Sequence, residues 1–356
     1  MNKVFSPELV SRNELLNNRQ SDARGGGKRR IFLHTFEQII SVENLLLAWQ
    51  EFIRGKRKRQ DVLEFQANLM ENLFQLHDDL AKLSYTHGPY KAFRINDPKP
   101  RQIHKSSVKD RLLHHAVYRI LYSFFDLKFA PDSFSCRNGK GTHKAIYRLR
   151  SFMYQVSQNN TRTCRVLKCD IRKFFKNIDH EILLDILRGY IKDKNIIWLL
   201  KEILNSFSSS PGRGLPLGNL TSQLFVNIYM NEFDQFVKHK LKAKFYIRYA
   251  DDFIFMSGNK NWLLNIIKKT QSFLRNQLGL DLHPDKVFIK TITSGIDFLG
   301  WVNFPNHRIL RTSTKRRMIK KLGISNKPEV VASYSGLISH GNTYKLRKNL
   351  KKTGLI

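Results

Sequence analysis

Three aspartates carry the chemistry this chain could do. Asp251 and Asp252 stand together in Tyr249-Ala250-Asp251-Asp252. Before them, Phe245, Ile247 and Tyr249 fall on one strand face; after them, Phe253-Ile254-Phe255-Met256 is continuously apolar. The pattern predicts a hairpin whose second strand is buried on both faces, with two carboxylates at its tip. Adjacent carboxylates at a buried tip are costly unless a cation neutralises them. Magnesium suits carboxylate oxygens, and two such ions can hold a phosphoryl transfer in line. Taken alone, such a pair is most often a solvated turn. A third acid changes the balance. Val166-Leu167-Lys168-Cys169-Asp170 is an apolar strand ending in a carboxylate. Asp170 can then face Asp251 across neighbouring strands of one sheet, so that three carboxylates converge on two metal ions.

Other elements must hold these acids in place. Asp179 is placed to cap a helix containing Ile182, Leu183, Leu184 and Ile186. Gly214-Leu215-Pro216-Leu217-Gly218-Asn219-Leu220-Thr221-Ser222-Gln223 is a Gly/Pro turn feeding a helix. After the acidic hairpin comes a helical stripe from Trp262 to Leu274 that ends near Gly279, then His283-Pro284-Asp285-Lys286 and Phe298-Leu299-Gly300-Trp301. Upstream, Val62, Phe65, Leu69, Leu73, Leu76, Leu80 and Leu83 predict one amphipathic helix, preceded by a basic loop, Arg54-Gly55-Lys56-Arg57-Lys58-Arg59. Asp97-Pro98-Lys99-Pro100-Arg101-Gln102-Ile103 reads as a turn entering a strand. Ser107-Val108-Lys109-Asp110 has capping-box form and opens a helix on which His114 and His115 are structural or phosphate-facing, not metal ligands. Residues 1–30 form a polar, basic stretch, either a functional flexible arm or a mere tail.

Composition narrows the partner. The 356 residues carry 62 Lys+Arg against 29 Asp+Glu, a net charge of +33. That excess implies a polyanion, and nucleic acid comes before membrane. Hydrophobic content of 41% and aromatic content of 12% exclude a disordered chain. Cys136, Cys164 and Cys169 lack C-x-x-C spacing, so neither a zinc knuckle nor a disulfide framework is expected. No apolar run approaches the roughly 18 residues of a bilayer span, and no signal-peptide core is evident, so a cytoplasmic location is expected.

The order of motifs (acidic strand end, glycine turn before a helix, acidic hairpin, lysine-bearing loop, Phe-Leu-Gly-Trp) resembles the palm of a reverse transcriptase. The resemblance runs from about residue 30 to the end. Within the superfamily it is similar to the prokaryotic group typified by diversity-generating retroelements. The residues behind this are Asp97-Pro98-Lys99-Pro100-Arg101, Asp110-Arg111 with His114-His115-Ala116, and Arg137-Asn138-Gly139-Lys140-Gly141-Thr142-His143. Most diagnostic is the turn from Leu215 to Gln223. Retroviral and group II intron enzymes usually have Gln in place of Leu217 and Pro in place of Gln223; the retroelement group shares both departures, and some prokaryotic defence enzymes look similar. No maturase or endonuclease extension follows the basic tail, which argues against an intron-encoded protein.

The resemblance implies an α+β right-hand polymerase fold with an antiparallel palm sheet and flanking helices. The expected divisions are an arm at 1–30, fingers at 31–165, palm at 166–303 with part of the fingers at about 185–213, and a short basic thumb at 304–356. Asp170 and Asp251 would bind two Mg²⁺ ions (Mn²⁺ is an alternative), with Asp252 adjacent and the carbonyl of Ile171 as an extra ligand. Lys286 resembles a lysine that protonates leaving pyrophosphate, and reads equally as a surface lysine. Lys99 and Arg101 would grip the triphosphate. Phe175 is the steric gate against a 2′-hydroxyl, while Phe174 points into the core. Leu217 and Gly218 would border the nucleotide, although Leu217 also suits plain packing against the following helix. Arg137, Lys140, Phe298, Gly300, Trp301, Arg316, Arg317, Lys320 and Lys321 would contact nucleic acid; Phe298 and Trp301 read equally as core.

The implied activity is RNA-directed DNA synthesis by two-metal nucleotidyl transfer, error-prone and copied from a retroelement RNA. Template RNA, a cDNA primer–template hybrid and dNTPs would be its partners, together with a small basic helical accessory protein. A defence reverse transcriptase and a non-catalytic RNA-binding scaffold are the alternatives. An RNA-dependent RNA polymerase is disfavoured by the aromatic gate.

Overall fold

The computed structural model describes residues 31–96, 99–325 and 327–356, so the expected arm at 1–30 lies outside the described residues. The first part is helical, with helices Phe36–Ile40, Val42–Phe52, Gln60–Ala67 and Leu69–Ala81. The stripe expected to form one helix from Val62 to Leu83 is broken at Asn68, whose φ of −119° and ψ of 43° leave the helical region. The Asn72 amide caps the freed carbonyl of Phe65 at 3.0 Å, so the break carries its own hydrogen bond. Leu83 falls beyond the second helix, exposed, at φ 53°.

Strands β1 (Lys91–Ile95) and β2 (Arg101–Lys105) pair antiparallel as an exposed ribbon, with Phe93 opposite Ile103 and Ile95 opposite Arg101. Asp97 and Pro98 of the expected turn lie outside the described residues. Ser107 Oγ accepts from Asp110 N at 3.1 Å and opens the helix Val108–Asp126, as its capping-box form predicts. Helix Thr142–Val156 follows.

Strands β3 (Arg165–Asp170), β4 (Tyr246–Tyr249), β5 (Asp252–Ser257) and β6 (Phe288–Thr291) form the central antiparallel sheet, ordered β4-β5-β3-β6. Alternation along these strands feeds two separate cores. Leu167, Cys169, Tyr246, Phe253 and Phe255 face a core built with the N-terminal helices, the helices His180–Arg188 and Lys194–Asn205, and Leu220–Gln235. Val166, Ile247, Ile254 and Met256 face a second core shared with helix Thr142–Val156 and the C-terminal elements. The expected double burial of β5 follows from this sandwiching.

Helix Lys260–Leu278 ends on Gly279 at φ 57°, the left-handed conformation that glycine adopts at least cost. Strands β7 (Ile296–Phe298), β8 (Trp301–Asn303) and β9 (Arg308–Leu310) make a small antiparallel sheet. The expected palm–thumb division at 303 falls inside this sheet. Three helices complete the chain: Thr312–Ile324, Pro328–Ile338 and Tyr344–Lys352. No helix among the described residues is long and apolar enough to cross a membrane. The whole is the α+β right-hand arrangement, an antiparallel sheet flanked by helices.

Candidate active site

The acidic hairpin is short and held from below. Tyr249 pairs with Asp252, leaving Ala250 and Asp251 as the turn. Ala250 has φ 55° and Asp251 is not in the positive-φ region, the pattern of a type II′ turn, whose first central residue is ordinarily glycine. An alanine there costs on the order of 1 kcal/mol. Arg248 supplies the anchor. Its guanidinium meets Asp234 in a bidentate pair, Nε–Oδ1 2.8 Å and Nη2–Oδ2 2.6 Å, with both side chains wholly buried. Tyr246 donates to the same carboxylate at 2.7 Å, and Arg248 Nη2 reaches Ser133 Oγ at 3.0 Å. The remaining Nη1 donates to the Ala250 carbonyl at 3.2 Å. The strained residue next to Asp251 is therefore tied to the most deeply buried ion pair of the sheet.

Asp170 lies directly opposite Asp252 across β3 and β5, and the Ile171 amide donates to the Asp251 carbonyl at 3.2 Å. Lys286 Nζ reaches Asp170 Oδ1 at 3.0 Å, and the His283 amide donates to the Asp170 carbonyl at 2.8 Å. Lys168 Nζ sits 2.9 Å from Asp252 Oδ2 and donates to the Asp297 carbonyl at 2.7 Å. Burial, then the charge of Asp170, holds the Asp251 carboxyl above its ordinary range, against the pull of Lys286 and Arg101. Burial pushes Asp252 up to about 6, partly offset by Lys168 and reinforced by Asp251 and Asp170.

Among the described residues no three His, Cys, Asp or Glu side chains stand in metal-holding geometry, and Asp252 pairs with Lys168. Asp170 and Asp251 are the two carboxylates that could hold a divalent cation, with Asp252 behind them. Its chemistry still fits such an ion. The acids are hard oxygen donors, the charge of Asp170 helps hold the carboxyls of Asp251 and Asp252 up, and Asp252 Oδ1 is buried without a hydrogen-bond partner.

Among the residues expected at the nucleotide, Phe175 is half-buried, whereas its neighbour Phe174 is 3% exposed, the two rings edge-on at 5.7 Å. The Phe175 carbonyl accepts from Leu215 N at 2.7 Å, which seats the Leu215–Gly218 turn beside it. The Leu217 carbonyl in turn accepts from His104 N of β2 at 3.0 Å. Gly218 has φ 124°, and a Cβ there would stand 3.1 Å from Ile103 Cγ2 and 3.3 Å from the His104 carbonyl. Glycine is needed both for the conformation and for the close approach of β2. Arg101, on β2, is near enough to act on the charge of Asp251. Lys99 is exposed between the two strands, and no hydrogen bond or ion pair of it joins the palm carboxylates.

The residues expected along nucleic acid divide. Arg137 departs from expectation. Its guanidinium is held by the Asp126 carboxylate at 2.7 Å and by the carbonyls of Asp126, Ala130 and Ser133, so it fastens a loop and is not open to a phosphate. Lys140 is half-buried and donates to the Pro131 carbonyl at 2.8 Å. Phe298 and Trp301 are 0% and 1% exposed and serve as core; what the hairpin presents is its Leu299-Gly300 turn, with both φ positive. On helix Thr312–Ile324, Met318 and Leu322 face inward while Arg316 and Lys320 are exposed; Lys321 is exposed and Arg317 half-buried.

Lys168, Arg248 and Asp234 were not singled out from sequence. Lys168 was within reach, since it shares a strand face with Asp170 at a spacing of two. The Arg248–Asp234 pair spans strand and helix, and no local pattern announces it.

The family model described as "Reverse transcriptase (RNA-dependent DNA polymerase)" matches residues 95–302. Protein YkfC of Escherichia coli is 26% identical over 293 residues, which cover 70% of this chain and 74% of that protein. The group II intron-encoded protein LtrA of Lactococcus lactis is 24% identical, covering 66% of this chain and 49% of its own length. The putative COX1/OXI3 intron 2 protein of Saccharomyces cerevisiae is 22% identical; this chain spans 61% of its own length and 31% of that protein. Among solved structures, a truncated apo telomerase from Candida tropicalis aligns with a TM-score of 0.48 at 14% identity, covering 66% of this chain and 59% of that one.

Proposed function

Because the chain belongs to the reverse transcriptase family, we propose that it is an RNA-directed DNA polymerase that extends a primer 3′-hydroxyl on an RNA template. The observation that carries this reading is the opposition of Asp170 to the Asp251-Asp252 hairpin, with Arg101 and Phe175 brought to the same region by β2 and the Leu215–Gly218 turn. Bound divalent ions would supply acidification of the 3′-hydroxyl and charge neutralisation on the triphosphate. Asp170 and Asp251 would hold them, with the Ile171 carbonyl as a further oxygen. Asp252 supports from behind, fixed by Lys168. Arg101 would meet the triphosphate with a planar fork, and Lys99 would add a second cation from the ribbon tip. Lys286, already beside Asp170, is an ammonium that could give a proton to leaving pyrophosphate. The half-exposed ring of Phe175 would lie under the sugar and exclude a 2′-hydroxyl.

We further propose that synthesis is error-prone and serves a retroelement of the diversity-generating kind. Leu217 supports this: its side chain offers neither donor nor acceptor at the edge of the nucleotide site, so selection of the nascent pair is looser there. LtrA and the yeast relatives are named for introns, and an intron-type role is the second reading.

Asp251→Asn with Asp252→Asn is expected to lower template-directed DNA synthesis by about three orders of magnitude or more, since neutral amides cannot replace anionic metal ligands. The variant should remain folded and bound to RNA, because relief of the repulsion among the three acids offsets the lost charge pairing of Asp252 with Lys168. Undiminished cDNA synthesis would eliminate this active site. Sequencing the products of wild type and Leu217→Gln on one defined RNA tests the second proposal. The variant should make fewer errors, above all opposite adenine; equal and low error in both sinks the diversification reading.

A further inference from the structure

Behind the Leu215–Gly218 turn lies a buried polar cluster that includes none of the residues assigned above to metal, nucleotide or primer. His114, on the helix Val108–Asp126, is 1% exposed. Its Nδ1 meets Thr221 Oγ1 at 2.8 Å, and its Nε2 meets Asn219 Nδ2 at 3.1 Å and His87 Nε2 at 3.2 Å. Asn219 uses the same amide nitrogen to reach Tyr90 OH at 2.9 Å, and Tyr90 OH stands 3.0 Å from Ser206 Oγ. Burial keeps the His114 ring neutral, its pKa pushed down to about 3. A neutral ring donates through one nitrogen only. Since the Asn219 amide donates to Nε2, the proton is assigned to Nδ1, which donates to the Thr221 hydroxyl.

The placement of these residues gives the cluster its meaning. Asn219 directly follows Gly218, and Thr221 lies in the first turn of helix Leu220–Gln235. Tyr90 directly precedes β1, while β2 is joined to the turn by the hydrogen bond from His104 N to the Leu217 carbonyl. One rigid helix therefore grips the turn through Asn219 and Thr221, and Asn219 grips the root of the β1–β2 ribbon through Tyr90. An unpartnered polar group in such a buried network costs more than a solvated one, so the network stays closed only in one geometry.

We propose that His114, Asn219 and Thr221 are positioning residues that fix the β1–β2 ribbon over the Leu217-Gly218 turn and thereby set the affinity for the incoming nucleotide. The inference rests on the reading that this turn and Arg101 border the nucleotide.

Thr221 offers a clean test, because valine is nearly isosteric and serine keeps the hydroxyl. Thr221→Val is expected to raise KM for dNTP about tenfold, the loss of one buried hydrogen bond, while kcat and primer–template affinity stay within about twofold. Thr221→Ser should restore the wild-type KM, and His114→Phe should exceed Thr221→Val. Hydrogen–deuterium exchange without substrate provides a readout independent of polymerisation. In Thr221→Val, amides of 215–221 and of the β1–β2 ribbon should exchange faster together. Unchanged KM and unchanged exchange in a folded Thr221→Val protein overturn the clasp. Faster exchange of both segments in an enzyme without polymerase activity keeps the clasp and removes the functional reading beneath it. A loss of kcat and melting temperature with KM unchanged marks the cluster as structural only.

Discussion

Asp252 shows how one side chain's surroundings would set the conditions under which the proposed site accepts a cation. Its folded pKa of about 6 lies above the ordinary 3.8. Between those values the folded chain holds a proton that the unfolded chain releases. This contribution to stability is present at acid pH and is lost as pH rises through about 6. Above that, ionised Asp252 and Asp251 destabilise the fold until a divalent cation offsets them. Mg²⁺ should accordingly raise the melting temperature clearly at pH 8 and little at pH 5, and not at all in Asp251→Asn with Asp252→Asn. An equal shift at both pH values would place the ion elsewhere. Phe175 gives a second test at this scale. Phe175→Ala should raise ribonucleotide use relative to deoxynucleotide use about tenfold or more, by opening space beneath C2′. A constant ratio in single-nucleotide extension assays would make it a core residue. The resemblance separated Phe174 from Phe175 by the gate position five residues after Asp170, and Phe174 is indeed core, at 3% exposed. Arg137 was misjudged because its partners are three backbone carbonyls and Asp126, which no residue spacing reveals.

Among the elements, the acidic hairpin depends on a pair it does not contain. Arg248→Met should destabilise the fold by about 3–5 kcal/mol, because it leaves Asp234 charged and buried without its partner. Adding Asp234→Leu should recover much of that loss in denaturant unfolding. Primer extension should stay impaired, since nothing then holds the Ala250 carbonyl. Full activity in the double variant would show that the pair serves folding alone. The hairpin itself was legible, since an alternating apolar run before two acids and a continuous one after them leave few other structures. The break at Asn68 was not, because the leucine stripe continues through it and only the Asn72–Phe65 hydrogen bond marks the change. Strand β9 was missed for a different reason: Arg308–Leu310 is too short to show a period, and its pairing with β8 comes from tertiary packing.

For the molecule as a whole, a net charge of +33 makes association with a phosphate backbone an ionic-strength problem. Primer–template affinity should fall steeply from low to moderate salt. Lys348, Lys351 and Lys352 are exposed on the last helix, opposite buried Leu350. Changing all three to Gln should lower the slope of log affinity against log salt by up to about 2–3, without altering sequence preference. A slope unchanged from wild type would mean that this face stands away from the nucleic acid. Composition made the polyanion legible at once; which basic residues are open to it was not, as Arg137 shows.

The central sheet has one more consequence, for heat. Strands β3 and β5 contribute alternate side chains to two cores, one with the N-terminal helices and one with the C-terminal elements. Neither half can melt without stripping a face from the strands that end in Asp170 and begin at Asp252. The acidic site thus works as the molecule's fuse. Thermal inactivation and loss of the fold should arrive as one cooperative event, with no window in which a half-melted enzyme goes on copying.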